Sequence, residues 1–178
     1  KLENFPDNGI LPLFLSPTDW YEDDYKLYYH KQEDLEKEAL TDFSFLKESH
    51  YEESPVFKIH KLFFEKSIDK GCSEDLQFDI TFNGLDYWDF EESLSDDEQH
   101  ELFEYFISES HKIGGYADFT QSDPRDYGGN KIDDVQLLQM DTEEEIMFGD
   151  SGLGHIFINK ESLLKRDFSK AYFYWDCC

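Results

Sequence analysis

Two stretches near opposite ends of the chain follow the same pattern. Phe5-Pro6-Asp7-Asn8-Gly9 aligns with Phe148-Gly149-Asp150-Ser151-Gly152, and at the same spacing Leu13-Phe14-Leu15 aligns with Ile156-Phe157-Ile158. A small shift sets Tyr25–Tyr29 against Ala171–Trp175. Each unit runs turn, glycine, apolar strand, polar segment, aromatic strand, as an internal duplication would. The second unit has a helix, a Gly-Gly loop and a strand ahead of its turn; the first has almost nothing ahead of Phe5. The expectation is a duplicated domain with a truncated first half. An apolar sheet edge near residues 9–15 would then be exposed and open to pairing.

The rest of the pattern fits an α+β fold with mixed, mainly antiparallel sheets and few helices. Residues 9–15 and Tyr25 to His30 read as strands, with turn chemistry at Ser16-Pro17-Thr18-Asp19 between them. Residues 31–40 suit a short exposed helix. Val56 to Phe64 and Gln77 to Phe82 alternate as strands do. Ser95-Asp96-Asp97-Glu98 is a capping box that opens a helix with Leu102, Phe103, Phe106 and Ile107 on one stripe. His111 and Lys112 fall in its predicted last turn and Gly114 closes it. Residues 114–130 form a long loop broken by Gly114-Gly115, Asp123-Pro124 and Gly128-Gly129. Val135 to Met140, His155 to Asn159 and Ala171 to Asp176 read as strands, and Asn159 caps a short helix from Lys160 to Arg166. One domain spans 1–178: a remnant of the first unit in 1–30, connecting strands and a helix in 31–94, and the second unit in 95–178.

Charge narrows the functional classes. The 178 residues carry 42 Asp and Glu against 16 Lys and Arg, a net charge of -26. Such a chain repels phosphate backbones and anionic membranes, so nucleic acid and membrane are excluded as partners. The sequence is 17% aromatic, enough for a packed core. No apolar run approaches a membrane span. Three cysteines, Cys72 and the vicinal Cys177-Cys178, make a poor disulfide framework and suit reduced thiols in the cytoplasm. The six histidines show no paired metal spacing, no EF-hand pattern is present, and no cofactor motif appears.

His111-Lys112-Ile113-Gly114-Gly115-Tyr116, Gln121, Asp123-Pro124-Arg125, Val135 to Asp141, Gly149-Asp150-Ser151-Gly152 and Trp175-Asp176-Cys177 together resemble the YwqG-like domain family. Phe5, Gly9, Phe14 and Tyr28-Tyr29-His30 extend the resemblance weakly over residues 1–30. It implies an α+β domain of two similar halves, found mostly in bacteria and without an established activity. The family's usual Gly-Gly-rich segment of the first half is absent here, and Ala117 stands where a proline is common.

Gly149-Asp150-Ser151-Gly152 has the outline of a protease nucleophile turn, but Asn8 takes the serine's place in the other unit, which suits a turn. The candidate ligand-binding residues are His111, Gly114, Gly115, Gln121, Asp123, Arg125, Asp150 and Gly152. Glycine amides and an arginine fork there could hold a ligand, or a salt bridge could simply pin the loop. The leading expectation is a non-enzymatic binding domain whose acidic surface meets a basic protein, as an immunity-like protein meets a cationic toxin. The alternative is an enzyme or small-ligand binder with its site at residues 114–130.

Overall fold

A computed structural model describes residues 4–22, 24–35, 42, 44–45, 47, 53–58, 60–127 and 131–178. Its frame is two antiparallel sheets. The smaller pairs β1 (Leu13–Leu15) with β2 (Tyr25–Leu27). The larger has the order β3-β4-β5-β6, from β3 (Lys112–Ile113), β4 (Asp134–Met140), β5 (Leu153–Asn159) and β6 (Tyr172–Asp176). Among the described residues four short α-helices accompany them: α1 (Tyr87–Glu91), α2 (Asp96–Phe106), α3 (Pro124–Tyr127) and α4 (Lys160–Lys165). The architecture is α+β with few helices.

The sheets face one another across an apolar interior. Ile156, Ile158, Leu137, Leu163 and Phe168 form one cluster, against which Leu11, Leu13 and Leu27 pack. Trp20, Ile146, Phe148 and Phe173 form a second, joined by Leu13, Leu15 and Tyr25. Alternation sends Ile156 and Ile158 inward and Phe157 to the other face of β5. On that face Ala117 and Phe119 cover Phe157.

The two halves have the same pairing register. Leu13 opposes Leu27 and Phe14 opposes Lys26; under the alignment read from sequence these become Ile156 opposite Phe173 and Phe157 opposite Tyr172, the pairs found. The isolated bridge Ile10–His30 corresponds likewise to the pair Leu153–Asp176. The turn glycines also match. A Cβ on Gly9 would press on the His30 carbonyl oxygen, and one on Gly152 on the carbonyl oxygen of Asp176.

Several sequence expectations shrink or fail. The strand at 9–15 shortens to β1 plus the bridge at Ile10, and that at 25–30 to β2 plus the bridge at His30. Val56 to Phe64 is no strand. Val56 makes one bridge to Ile146, and Leu62, Phe63 and Phe64 are exposed. Gln77 to Phe82 is irregular as well, and Phe78 and Phe82 turn into an aromatic cluster with Tyr87 and Phe106. The helix opened by the Ser95 box stops at Phe106 with extended Ile107. Lys112 and Ile113 instead pair with Gln139 and Leu138 as β3. A tertiary strand contact thus replaces the predicted last helical turn. Gly114 keeps a positive φ, 70°, but turns the chain after a strand. The helix expected over 31–40 appears as a 3-10 turn at Gln32–Leu35. Residues 36–40, Ile59 and Gly128-Gly129 lie outside the described residues. The Asn159 cap holds, its side chain accepting from Glu161 N at 3.0 Å.

Gly152→Ala places a methyl against backbone oxygens of both Phe148 and Asp176, neither of which is a flexible side-chain end. Thermal or urea unfolding of this variant is expected to show a loss of about 2–3 kcal/mol.

Candidate functional site

Residues 114–127 cross the outer face of the large sheet as an irregular arm, so their backbone groups need partners other than a ladder. Carboxylates and amides supply them. Asp69 accepts from Tyr116 N at 3.0 Å and from Lys112 Nζ at 3.2 Å. Asp75 accepts from Ala117 N at 2.5 Å. The two β4 glutamines bracket the arm. Gln136 Nε2 donates to Gly114 O and Tyr116 O, and Gln139 Oε1 accepts from Asp118 N. Asp176 Oδ2 accepts from both Thr120 N and Gln121 N.

Arg125 fastens the arm's far end. It is 1% exposed. Its guanidinium pairs with Asp123, reaches Asp75 Oδ1 at 2.7 Å, and donates to Asp134 O at 2.8 Å. It also lies 4.9 Å over the Phe157 ring. Burial opposes its charge, but the bonds to Asp123 and the fields of Asp75 and Asp123 prevail and raise its pKa. The arginine fork proposed from sequence as a ligand clamp is therefore occupied by the protein's own carboxylates.

Beneath the arm sits a buried acceptor pair. His155 Nδ1 lies 3.0 Å from Gln136 Oε1, an oxygen that only accepts, so the imidazole proton is on Nδ1. Burial, then Lys112 and Arg125, push the His155 pKa down to about 3, so the ring is neutral. Its Nε2 faces Asp176 Oδ1 at 3.9 Å, and both atoms lack a hydrogen-bond partner among the described residues. Burial raises the Asp176 pKa, which favours the proton that such a pair of acceptors needs.

On the solvent side of the arm lies a cleft of about 650 Å³. Phe103 and Ile107, from α2 and the residue after it, make its apolar wall with Phe119 and Leu153. Glu74, Glu109, Asp118 and Asp141 line it, and among the described residues no Lys, Arg or His does. The Glu109 carboxyl is raised by desolvation and then by Asp118, Asp141 and Glu104. Asp118 is raised chiefly by burial, against the bonds it accepts from Cys72 and Phe119 and the charge of Lys112. Among the described residues no group of three or more His, Cys, Asp or Glu is placed to hold a metal ion.

The residues singled out from sequence fall around this cleft unevenly. Gln121 lines it. His111 Nδ1 accepts from Asp141 N at 3.0 Å, and Gly152 O accepts from Thr142 Oγ1 at 2.9 Å, so both hold lining residues in place. Gly114 and Gly115 form the turn into the arm, both with positive φ. Asp123 and Arg125 are buried in the ion triad, and Asp150 is exposed on the turn before β5. His111 and Arg125 thus bond to different groups, and none of His111, Arg125 and Asp150 lines the cleft. Ser151 lines the cleft with φ 57°, in the turn expected for it. The carboxylates of the cleft, and Gln136, Gln139, His155 and Asp176 beneath the arm, were not selected from sequence. Only the polar interruptions of strand β4 hinted at them.

Two substitutions test this account. Arg125→Met leaves Asp75 and Asp123 buried without a counter-charge and is expected to cost about 3–5 kcal/mol in chemical unfolding. Asp176→Asn supplies an N–H toward His155 Nε2 and keeps an oxygen for the Thr120 and Gln121 amides, so stability at neutral pH should be held or raised. Asp176→Ala strands those amides and should lose about 1–3 kcal/mol. Equal losses in the two Asp176 variants would contradict the protonated pair.

No helix among the described residues is long and apolar enough to cross a membrane. Cys72 is buried and its thiol is pushed up to about 12 by burial and by Asp118, while Cys177 and Cys178 are free. No curated protein matches the chain. A family model described as a domain of unknown function, DUF1963, matches residues 1–177, and the chain belongs to that family.

Proposed function

We propose that this member of the family is a YwqG-like, non-enzymatic binding domain of the cytoplasm, whose acidic cleft receives a Lys or Arg side chain from a basic protein partner. The observation that carries the proposal is the unbalanced charge of the cleft. Four carboxylates line it; desolvation raises Glu109 and Asp118, and neighbouring acids add to the rise, with the charge of Lys112 opposing it at Asp118. Like charges held together are a standing cost that a bound cation removes. The wall of Phe103, Ile107, Phe119 and Leu153 suits the methylene stem of such a side chain, with its charged head among the carboxylates. A net charge of -26 adds long-range steering toward a basic partner. The ligand-binding alternative read at residues 114–130 converges on the same cleft through Gln121.

Titration with a short arginine-rich peptide at low and moderate salt tests this. Binding is expected, and it should weaken as salt screens the carboxylates. Glu74→Gln combined with Glu109→Gln should lower the affinity about tenfold or more. The same pair of changes removes repulsion and should raise the melting temperature at neutral pH. Peptide affinity unchanged by the double variant would place binding elsewhere on the surface and sink the proposal.

The pH dependence has a definite sign. The folded Glu109 and Asp118 hold protons more tightly than the unfolded chain does. Their contribution to stability therefore rises as pH falls through their raised values toward the ordinary 4.5 and 3.8. Peptide affinity should fall over that same window.

A further inference from the structure

The stretch from Lys61 to Ile68 runs between two ties to the body of the protein. Before it, Phe57 N donates to Glu145 O; after it, the Asp69 carboxylate accepts from Tyr116 N and Lys112 Nζ. Between the ties every residue from Lys61 to Ile68 is exposed. Phe63 is 81% and Ile68 89% exposed, and Leu62 and Phe64 are bare beside them. Large apolar side chains gathered in one exposed run mark an interaction surface, unlike single exposed ones. The same stretch is basic. Four of the chain's 16 Lys and Arg fall within residues 58–70, namely Lys58, Lys61, Lys66 and Lys70, against Glu65 and Asp69. Lys61 Nζ stands 5.0 Å over the Phe63 ring, so a cation and an aromatic face form one unit. In a chain of net charge -26 this strip is locally positive as well as apolar.

We propose that the strip of one copy enters the acidic cleft of a second copy of the chain, and that the two copies exchange this contact about a twofold axis. The inference rests on the reading of the cleft as a receptor for a cationic side chain, and it names the partner. The two surfaces are complementary in charge and in kind. Lys61 and Lys66 carry the sign of charge that the four cleft carboxylates attract, and Phe63 and Phe64 offer apolar area to a wall that is itself apolar. Their placement allows the exchange. Glu74 and Thr142 line the cleft, five residues after Asp69 and three before Glu145, so both ties of the strip lie within about 18 Å of its border. Strip and cleft therefore share one side of the molecule, as a self-complementary interface requires. No residue from 61 to 68 lines the cleft of its own chain. A foreign basic partner would fill the cleft and leave the strip bare, whereas a second copy covers both.

Sedimentation equilibrium of the full chain tests this at about 0.15 M salt, where exposed charges more than about 8 Å apart are largely screened. A monomer–dimer equilibrium with a Kd on the order of 0.01–0.1 mM is expected. Phe63→Glu combined with Lys66→Glu alters exposed side chains only. It should leave the melting temperature in place and weaken the dimer about tenfold or more. That double variant should still bind the arginine-rich peptide as the unaltered chain does, whereas Glu74→Gln with Glu109→Gln should weaken both dimer and peptide binding. Loss of peptide binding and dimer alike in the unaltered chain would sink both readings. Peptide binding by a chain that stays monomeric up to about 1 mM would overturn the second copy alone. So would a dimer that Phe63→Glu with Lys66→Glu leaves unchanged. Co-sedimentation of a monomer with phosphatidylserine vesicles, abolished by that same variant, would assign the strip to a lipid surface and also overturn it.

Discussion

The buried ion triad of Arg125 with Asp75 and Asp123 fixes most of what is irregular in this protein. Two stretches without a ladder of their own meet the start of β4 there. The loop around Asp75 takes one side of the guanidinium, and the arm brings Asp123 and Arg125 itself. The start of β4 gives the Asp134 carbonyl oxygen. Desolvating three charges is expensive, and the arrangement persists because each carboxylate also satisfies backbone N–H groups. Asp75 serves Ala117 and Gln77, and Asp123 serves Leu76 and Arg125. An apolar replacement of the arginine would fill the volume over Phe157 and still leave two buried anions.

The same logic gives part of the acidic surplus a structural task. A chain with strands this short has many backbone donors outside sheets, and a short acidic side chain is a compact acceptor for them. Asp69, Asp118, Asp141 and Asp176 each accept from main-chain N–H groups of another segment or of the next residue. These carboxylates hold the chain path in place. Others, such as Glu109, accept no such bond and crowd the cleft. Asp118 and Asp141 do both, accepting from the backbone while lining the cleft, so frame and candidate site share two of the four carboxylates.

What could be read in the sequence follows the range of the forces involved. Strands β4, β5 and β6 and the Asn159 cap depend on alternation or on a contact two residues away, and both are visible locally. The start of α2 was legible from its capping box, but its end was not. Lys112 and Ile113 are drawn into a strand by Gln139 and Leu138, residues far along the chain. Phe78 and Phe82 alternate as strand residues do, yet they serve a cluster around Tyr87 and Phe106 that brings together separate segments. At the site, Gln121 and the Gly114-Gly115 turn were recognisable because a loop of that length invites attention. Glu74, Glu109, Asp118 and Asp141 were lost among 42 acidic residues, since only folding selects which four converge.

Phe14 and Phe157 show most plainly where sequence stops informing. The residue is the same, its neighbours on the strand are alike, and its cross-strand partner stands in the same register. One ring is buried and the other exposed, because burial belongs to whatever lies over the ring. For Phe157 that cover is Ala117, Phe119 and the guanidinium of Arg125. The triad therefore decides more than the path of one arm. By tying Arg125 in place it turns an aromatic sheet face into core, and the half without such a tie keeps the equivalent face as surface.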